Sequence, residues 1–468
     1  MTLVAVNFTG GTFKHRSLPV SAQSTVNLLP QKIDNFQVKD SYILDNFVGQ
    51  KLFGSVEGIS RGAFRFKNLL YRVVGNSLYS VNSEGIHTLI GSIPGNDRCV
   101  FSSLVNDLII IADRKAFVYN GSSLTQATDP DLQSPDSVAT LNNQAIYDGD
   151  EDLFGVSDVG QPAVINGLNY ASAESTGDNL IRVFAFDQNI YMFGEETIEL
   201  WWNSGVGKPP FDRVQGAIIP IGIAGVHAVT SNNNQIYFLG SDRELYALKG
   251  TSKASVTPTA IIREFQSYST VEDAICWSMK LKGINLIVVV FPTANKSWVY
   301  VEGGDWFQWS SGINGGRNKA NSYVNIYNKH LVEDYSNGNI YSLDFDNYTE
   351  NGDTIIRQRD SALIDGESLG GSGRDFTINK FILNMDVGNG VLTGQGQDPE
   401  IMLSLSSDGG KTFKNEKRKK IGKLGQFNKR VEFNSLGKFS SVVVRIKITD
   451  PVSFTLKNAF VDFELSTL

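Results

Sequence analysis

Short apolar runs alternate with polar turns along most of the chain, and one such unit recurs. Each unit has a polar turn, three to five apolar or aromatic residues, a second polar or glycine turn and a further strand that contains an aromatic residue. Apolar runs of this length, bounded by turn residues, are typical of β-strands. The pattern predicts seven β-hairpins, at residues 68–81, 106–121, 142–156, 187–202, 233–248, 282–301 and 328–343.

The spacing of these hairpins predicts how they assemble. Consecutive hairpins begin 36 to 49 residues apart, and a propeller blade of four short strands needs about 40 to 50 residues. We therefore expect an all-β fold with a six- or seven-bladed β-propeller over residues 61–350, in which strands such as 190–194 (IYMFG) are innermost. A β-sandwich is the alternative, although it does not predict a regular step. Helical patterns are scarce, and residues 267–280 form at most a short helix or turn.

Both ends of the chain depart from the repeat. Residues 1–60 read as an N-terminal extended arm, or as strands that complete the propeller or the C-terminal domain. After residue 350 the spacing breaks, and a glycine-rich stretch at 361–374 precedes five alternating strands, so we expect a C-terminal β-sandwich over residues 351–468. The alternation at 443–448 predicts that Val443, Arg445 and Lys447 share the solvent-exposed face.

Composition narrows the class of protein. A chain of 468 residues is long enough for two or three domains. Its net charge of -7 argues against a general nucleic-acid binder. Cys99 and Cys276 are too few for a disulfide framework and suit a reducing cytoplasm. The opening residues lack the apolar core of a signal peptide, and runs such as 286–291 are too short to span a bilayer, so we expect neither secretion nor membrane insertion.

The sharpest local motif has the form of an Asp box. In such a motif the Asp side chain accepts hydrogen bonds from the turn, and the Gly adopts a conformation that other residues avoid. The aromatic residue anchors the hairpin. Its residues are Ser406, Asp408, Gly410, Thr412 and Phe413. We interpret it as a structural turn. Asp boxes also recur in sialidase propellers, which makes a sialidase-like glycan hydrolase the enzymatic alternative. The same segment is not a phosphate-binding loop, because Leu405 stands where that motif requires Gly.

The other candidate sites have weaker signals. The four histidines stand apart in the sequence, so no zinc site is expected, and we predict no cofactor. The acidic residues at 148–152 lack the ligand spacing of a calcium loop and are predicted to be a solvated loop. The tryptophans at 201–202 and 306–309 are expected to pack between blades, with an exposed glycan platform as the alternative.

A run of nine positive charges within 20 residues is a candidate interaction surface. We consider three interpretations of these charges and rank them in this order: a solvated hairpin, a contact with an acidic neighbouring subunit, and a contact with DNA phosphates. The residues of this basic segment are Lys411, Lys414, Lys417, Arg418, Lys419, Lys420, Lys423, Lys429 and Arg430.

The chain resembles the packaged-DNA stabilisation proteins, or tail accessory hubs (nozzles), of short-tailed phages. The similarity is distributed, in matching order, over segments none of which is a catalytic signature. These segments are residues 27–31 (NLLPQ), 60–79, 193–205, 210–225, 403–413 and 439–465.

The resemblance implies a structural virion protein without catalytic residues. It implies a six-fold ring of propeller subunits that extends the channel of the portal and adaptor, retains packaged double-stranded DNA and transmits that DNA on ejection. The expected neighbours are the adaptor-portal complex, a tail needle or plug, and tailspikes or fibres. We expect such a protein in the virion tail after assembly in the host cytoplasm. A receptor-binding tail module is the remaining alternative.

Overall fold

The computed structural model describes residues 2–6, 8–15, 17, 21–33, 41–173, 177–232, 234–313, 315–371 and 373–466. Strands dominate this part of the chain, and its only helix is α1 (Thr259–Gln266). Residues 267–280 hold turns and the start of a strand. The prediction of an all-β fold is confirmed.

Six strands precede the repeats. They are β1 (Thr2–Val6), β2 (Phe13–Lys14), β3 (Ala22–Val26), β4 (Leu28–Ile33), β5 (Ser41–Asn46) and β6 (Gly49–Ser55).

Seven antiparallel sheets then follow one another in chain order and form the blades of a propeller, with β6 as the fourth strand of blade 7. Their strands are β7 (Ser60–Phe66), β8 (Leu69–Val74), β9 (Ser77–Val81) and β10 (His87–Ser92) in blade 1; β11 (Val100–Ser103), β12 (Leu108–Ala112), β13 (Lys115–Tyr119) and β14 (Leu124–Gln126) in blade 2; β15 (Val138–Leu141), β16 (Gln144–Asp148), β17 (Leu153–Asp158) and β18 (Gln161–Ser172) in blade 3; β19 (Leu180–Phe186), β20 (Asn189–Gly194), β21 (Ile198–Asn203) and β22 (Phe211–Ile219) in blade 4; β23 (Val229–Ser231), β24 (Ile236–Leu239), β25 (Leu245–Lys249) and β26 (Ser252–Ser255) in blade 5; β27 (Ile275–Leu281), β28 (Ile284–Phe291), β29 (Lys296–Val301) and β30 (Trp306–Gln308) in blade 6; and β31 (Ala320–Ile326), β32 (Lys329–Asp334) and β33 (Asn339–Asp344) in blade 7.

The C-terminal part completes the fold with ten strands. They are β34 (Thr349–Glu350), β35 (Asp353–Thr354), β36 (Arg357–Asp360), β37 (Ile364–Asp365), β38 (Phe376–Met385), β39 (Glu400–Ser406), β40 (Lys414–Lys420), β41 (Val431–Phe439), β42 (Ser441–Ile448) and β43 (Thr455–Leu465).

The seven predicted hairpins are the second and third strands of the seven blades. Their polar turns have a specific backbone role. At Asn142–Asn143 and Asp187–Gln188, for example, both residues of the two-residue turn have positive φ, with values of 49°, 61°, 47° and 63°. This conformation matches the twist of a tight hairpin and is tolerated best by Asn, Asp and Gly. The turn residues therefore determine where the first strand of each of these blades ends and the second strand begins.

The apolar core is divided into wedges between neighbouring blades. One wedge lies between blades 2 and 3, and another joins Leu70 and Val81 of blade 1 to Leu331 and Ile340 of blade 7. The prediction that strands such as IYMFG are innermost is wrong, because the first strand β7 contacts the first strands of both neighbouring blades, β11 and β31, around the axis. A second strand is covered on both faces by neighbouring sheets, which explains why it has the most apolar sequence.

The N-terminal strands do not form a separate arm. Strand β6 pairs with β33, from Gly49 opposite Asp344 to Ser55 opposite Asn339, and so closes blade 7. Strand β1 pairs with β43, the β4–β5 hairpin joins the same sheet, and β3 pairs with β36. The first strands of the chain thus complete both the propeller and the sandwich, and β6 pairs the edge of β33 that would otherwise expose unpaired backbone groups.

The C-terminal sandwich shares a sheet with the propeller. One sheet has the order β4-β5-β43-β38-β41, and the other continues from blade 6 in the order β27-β28-β29-β30-β3-β36-β42-β39-β40. The five predicted sandwich strands are β38, β39, β41, β42 and β43. The prediction that Val443 is solvent-exposed is wrong, since it is fully buried. The turn that follows β39 covers it, with Gly410 lying against both Val443 and Ala22.

Candidate interaction surface

The turn between β39 and β40 is organised around the carboxylate of Asp408. Ser406 Oγ donates to Asp408 Oδ1 at 2.6 Å, and Thr412 Oγ1 donates to Oδ2 at 2.6 Å. The backbone N–H groups of Lys411 and Thr412 also donate to Oδ1, each at 2.9 Å. These hydrogen bonds, led by that of Ser406, hold the pKa of Asp408 well below its usual range. The carboxylate therefore serves as an acceptor that shapes the turn.

The two other residues of the Asp box, Gly410 and Phe413, connect this turn to its surroundings. Gly410 has a φ of 96°, and a Cβ atom at this position would lie 2.8 Å from the Cβ of Ala22. Phe413 is only half-buried. Instead of entering the apolar core, its ring lies 3.6 Å from the guanidinium of Arg445, which also pairs with Asp360 at 2.6 Å. The turn is thus held by a close backbone approach and a cation–π contact.

The basic segment begins in this turn and continues through β40, which the sequence did not predict as a strand. Strand β40 pairs only with β39 among the described residues and forms the far edge of the sheet that begins in blade 6. Eight strand spacings separate it from the innermost strand β27, on the order of 40 Å along the sheet. Charged side chains on an edge strand oppose pairing with foreign strands, so the charges of β40 also protect this edge.

Four of the nine basic residues have partners within the chain. Lys417 Nζ donates to the carbonyl oxygens of Asn434 and Ser435, both at 3.0 Å, and so ties β40 to the bend in β41. The other three form ion pairs: Arg418 with Glu416, Lys420 with Asp398, and Arg430 with Glu432. Exposed ion pairs of this kind contribute little to stability.

The side chains of the other five basic residues have no ion-pair partner in the described part of the chain. They are Lys411, Lys414, Lys419, Lys423 and Lys429. Exposed apolar side chains lie in the same region, where Leu424 is 55% and Phe427 is 68% exposed. A positive field beside exposed apolar side chains is the composition of a binding surface. We call these five lysines, together with Leu424 and Phe427, the basic surface.

Within the part of the chain that the structure describes, the features that would support glycan chemistry do not assemble into a site. Tyr237 donates to Glu302 at 2.6 Å, a tyrosine–carboxylate pair of the general type that sialidases use. However, Tyr237 is fully buried, and burial followed by the hydrogen bond to Glu302 raises its pKa, which opposes its action as a nucleophile. The further side chains around Glu302 are the amides of Asn232, Gln235 and Asn285, where substrate-binding arginines would be needed.

The tryptophans and the acidic segment divide between core and surface. Trp201 is buried against Phe154, with ring centroids 4.9 Å apart, whereas Trp202 is 45% exposed. In the acidic segment, Asp148 is buried and accepts the backbone N–H of Ser137 at 2.6 Å, so the prediction of a solvated loop is wrong for this residue. Among the described residues, no group of three or more His, Cys, Asp or Glu side chains could hold a metal ion.

The sequence did not single out the buried charges of the propeller. Arg72 and Glu333, on β8 and β32, form an ion pair of 2.7 Å that joins blade 1 to blade 7. Arg98, Arg182 and His227, which are only partly buried, lie in or near the first strands of blades 2, 4 and 5. A charged residue inside an apolar strand, as in LLYRVV at 69–74, is the signal that could have identified the first pair.

Family models match both domains. A model described as bacteriophage P22 Gp10, beta-propeller, matches residues 6–348, and a model described as bacteriophage P22 Gp10, beta-sandwich, matches residues 362–464. A comparison with curated proteins finds no match. Within the described residues, no helix is long and apolar enough to cross a membrane.

Solved structures resemble the propeller. Virginiamycin B lyase from Staphylococcus aureus is 9% identical with a TM-score of 0.45, and the similarity covers 63% of this chain and 98% of that one. The Pan2 WD40 domain of Neurospora crassa is 11% identical with a TM-score of 0.43 and coverages of 63% and 94%. The Cps50 (Swd1) propeller domain of Myceliophteria thermophila is 10% identical with a TM-score of 0.42 and coverages of 63% and 99%. Such similarity concerns the fold alone.

Proposed function

The chain belongs to the family of bacteriophage P22 Gp10, phage proteins that stabilise packaged DNA, and from this membership we propose that it is the tail hub, or nozzle, of a virion. In this role it extends the channel of the portal and adaptor, retains packaged double-stranded DNA and transmits that DNA on ejection. The observation that carries the proposal is the succession of two family models, propeller then sandwich, along most of the chain.

The construction of the subunit supports a load-bearing role. A single sheet runs from the innermost strand of blade 6 to the far edge of the sandwich, so the two domains cannot rotate about a flexible linker without breaking strand pairs. Buried Arg359 reinforces the junction by donating to the carbonyl oxygens of Phe8 and Gly11 and to the hydroxyl of Thr25. A stiff subunit suits a channel that holds DNA under pressure.

The proposed assembly is a closed six-fold ring. Heterologous interfaces generate such rings when the rotation between neighbours closes. The chain as a whole is acidic, with a net charge of -7, while the basic surface is locally positive. We assign the basic surface to a contact with an acidic face of a neighbouring tail subunit. The adaptor-portal complex, a tail needle or plug, and tailspikes or fibres are the proposed further partners.

The proposed role requires no catalysis. The Asp box acts as a structural turn, because its carboxylate is saturated by hydrogen bonds from Ser406, Lys411 and Thr412. A sialidase-like hydrolase would be expected to turn over a fluorogenic sialoside, whereas a hub would not. A receptor-binding module would be expected to attach to host cells as an isolated protein.

Quantitative mass spectrometry of purified particles tests the proposal. We expect about one copy of this chain for every two portal subunits, as a six-fold hub on a twelve-fold portal requires. A different fixed ratio would contradict the six-fold ring but retain the structural role. Absence of the chain from particles would refute the structural role.

A further inference from the structure

The outer edges of blades 3 and 4 differ from those of the other blades. Their fourth strands, β18 and β22, have 12 and 9 residues, whereas the fourth strands of the other blades have three to seven. Within the described residues, β18 pairs only with β17 and β22 only with β21. Exposed edge strands are usually protected by charged side chains, yet none of the 12 residues of β18 is Asp, Glu, Lys or Arg. This composition suits an edge that another surface covers.

Apolar side chains are exposed along the same edge. Residues 166–169 have no partner on β17 and bulge out of the sheet. A bulge redirects side chains away from the regular pleat, and Leu168 in this one is 68% exposed, with Val164 exposed four residues earlier. A groove of about 650 Å³ then connects Ser172, at the end of β18, to the exposed ring of Trp202 in blade 4. The exposed apolar side chains thus extend across two blades.

Three carboxylates lie along β18. Asp129 Oδ2 accepts a backbone N–H of this strand at 3.2 Å, and Asp152 Oδ2 accepts the hydroxyl of Ser172 at 2.6 Å. Between them, Asp131 Oδ2 lies 3.0 Å from the position that a Cβ atom would take at Gly167. The carboxylates are therefore held against the strand that carries the exposed apolar side chains.

The groove adds a fourth carboxylate, that of Asp212, which is exposed and lies opposite Trp202 in the β21–β22 register. Arg213 also lines the groove, but it pairs with buried Glu199 at 3.3 Å. In the described part of the chain, none of the four aspartates forms an ion pair. We call the following residues the acidic rim: Val164, Leu168, Trp202, Asp129, Asp131, Asp152 and Asp212.

We propose that the acidic rim of one copy of the chain binds the basic surface of a second copy. This inference rests on the proposed ring and identifies its interface. The two surfaces are complementary, because each has exposed apolar side chains and the five lysines of one face the four aspartates of the other. Exposed charges of opposite sign select the partner, and the apolar side chains supply area that is removed from water.

The two surfaces lie far apart on one copy. The basic surface is at the outer end of the sheet that continues from blade 6, whereas the acidic rim is on blades 3 and 4. In a ring of seven blades, the middle of the rim is two and a half positions from blade 6, which is about 130° around the axis. The basic surface of one copy therefore meets the rim of another copy. This is a head-to-tail contact of the kind that closes into a ring.

Sedimentation equilibrium of the full chain tests the contact. Asp131→Lys/Asp212→Lys reverses the charge of the rim at two exposed side chains, and we expect it to weaken self-association at least tenfold. Lys423→Glu/Lys429→Glu is expected to have an effect of the same size, because it alters the other half of the same contact. Self-association of the rim variant equal to that of the unmodified chain would overturn the proposal.

The matched control is Glu57→Lys/Glu84→Lys. It makes the same change in charge at two exposed residues, each of which stands two positions before an exposed isoleucine, Ile59 or Ile86. We expect this control to self-associate within twofold of the unmodified chain. A loss in the control as large as that in the rim variant would attribute the effect to net charge and would overturn the assignment of the rim.

Mixing the two variants shows whether the two surfaces bind each other. The rim variant keeps its basic surface, and the Lys423→Glu/Lys429→Glu variant keeps its rim. The mixture is therefore expected to form a one-to-one complex that does not grow further, because only one intact contact is available. Formation of larger species, or of no complex at all, would overturn the proposal.

Carbodiimide crosslinking covers the case in which the isolated chain associates too weakly for sedimentation. This reagent joins a lysine amine directly to a carboxylate that it contacts. In a mixture of ¹⁵N-labelled and unlabelled chain at high concentration, and in purified particles, we expect links from Lys423 or Lys429 to Asp131 or Asp212, with the two isotopes combined in the labelled mixture. The absence of these links in both samples would overturn the contact.

The same crosslinks separate this inference from the proposed function. If the links form between purified chains but the chain is absent from particles, the tail role fails and the contact stands. If the chain is present in particles but its basic surface is linked to a different tail protein, the contact is overturned and the tail role stands.

Discussion

The ion pair between Arg72 and Glu333 is predicted to hold the propeller ring closed. Arg72 is fully buried in blade 1 and donates to Glu333 Oε1 at 2.7 Å and to the carbonyl oxygen of Gly338 at 3.0 Å, both in blade 7. Within its own blade it contacts Ser60 and His87. Replacing Arg72 by Met leaves the Glu333 carboxylate buried without its counter-charge. Removal of one partner of a buried pair costs about 3–5 kcal/mol, so we expect a loss of that size.

The assay is equilibrium unfolding combined with hydrogen exchange. Because a two-domain chain need not unfold in one step, exchange is followed separately in β7–β10 and β31–β33, where protection is expected to fall first. The double variant Arg72→Met/Glu333→Leu removes both charges and is expected to recover to within about 2 kcal/mol of the unmodified chain. The control is Arg418→Met, whose pair with Glu416 is 64% and 39% exposed and is expected to contribute less than about 1 kcal/mol. A single-variant loss below about 1 kcal/mol, or a double variant no better than the single one, would refute the reasoning.

Four further predictions follow from other parts of the structure. Burial and the charge of Arg72 lower the pKa of His87 to about 4. Between pH 6.5 and 4 the unfolded chain therefore binds more protons than the folded chain, so the folded state loses stability as the pH falls through this range. His87→Gln is expected to make the melting temperature depend less on pH over the same range. Burial raises the pKa of Asp148 from 3.8 to about 7, so the folded state loses stability as the pH rises between these two values. Asp148→Asn is therefore expected to raise the melting temperature more at pH 8 than at pH 5. An equal rise at both pH values would contradict the raised pKa of Asp148. Gly410→Ala places an alanine at a φ of 96° and in close contact with Ala22, and we expect it to destabilise the protein by about 1–3 kcal/mol in scanning calorimetry. The control for backbone strain alone is Gly250→Ala, because Gly250 also has a positive φ but has open space around it. Charge reversal at Lys419, Lys423 and Lys429 is expected to weaken ring assembly in light scattering, with a smaller defect at high salt, whereas reversal of Lys253 in blade 5 is expected to leave assembly unchanged.

Local sequence was sufficient to predict the repeating part of the fold. A hairpin is specified by residues close together in the chain, such as the turn at Asn142–Asn143 and the apolar strands on either side of it. The step between hairpins then indicates a propeller, because four strands of that length are the unit that buries an apolar sheet against its neighbours. The Asp box is local in the same way, since Ser406, Asp408 and Thr412 lie within one turn.

The tertiary structure decided which distant segments complete each sheet and where the charges lie. Pairing of β6 with β33 closes the ring across nearly 300 residues, and the register of that pairing depends on packing that no local window contains. Strand β40 has no apolar alternation, so only its pairing with β39 identifies it as the edge of the sandwich. In the same way, Arg72 and Glu333 are 261 residues apart and look like isolated charges in the sequence. The ion pair of Arg72 with Glu333 exists only because the closed ring brings blade 1 against blade 7 and buries both side chains there.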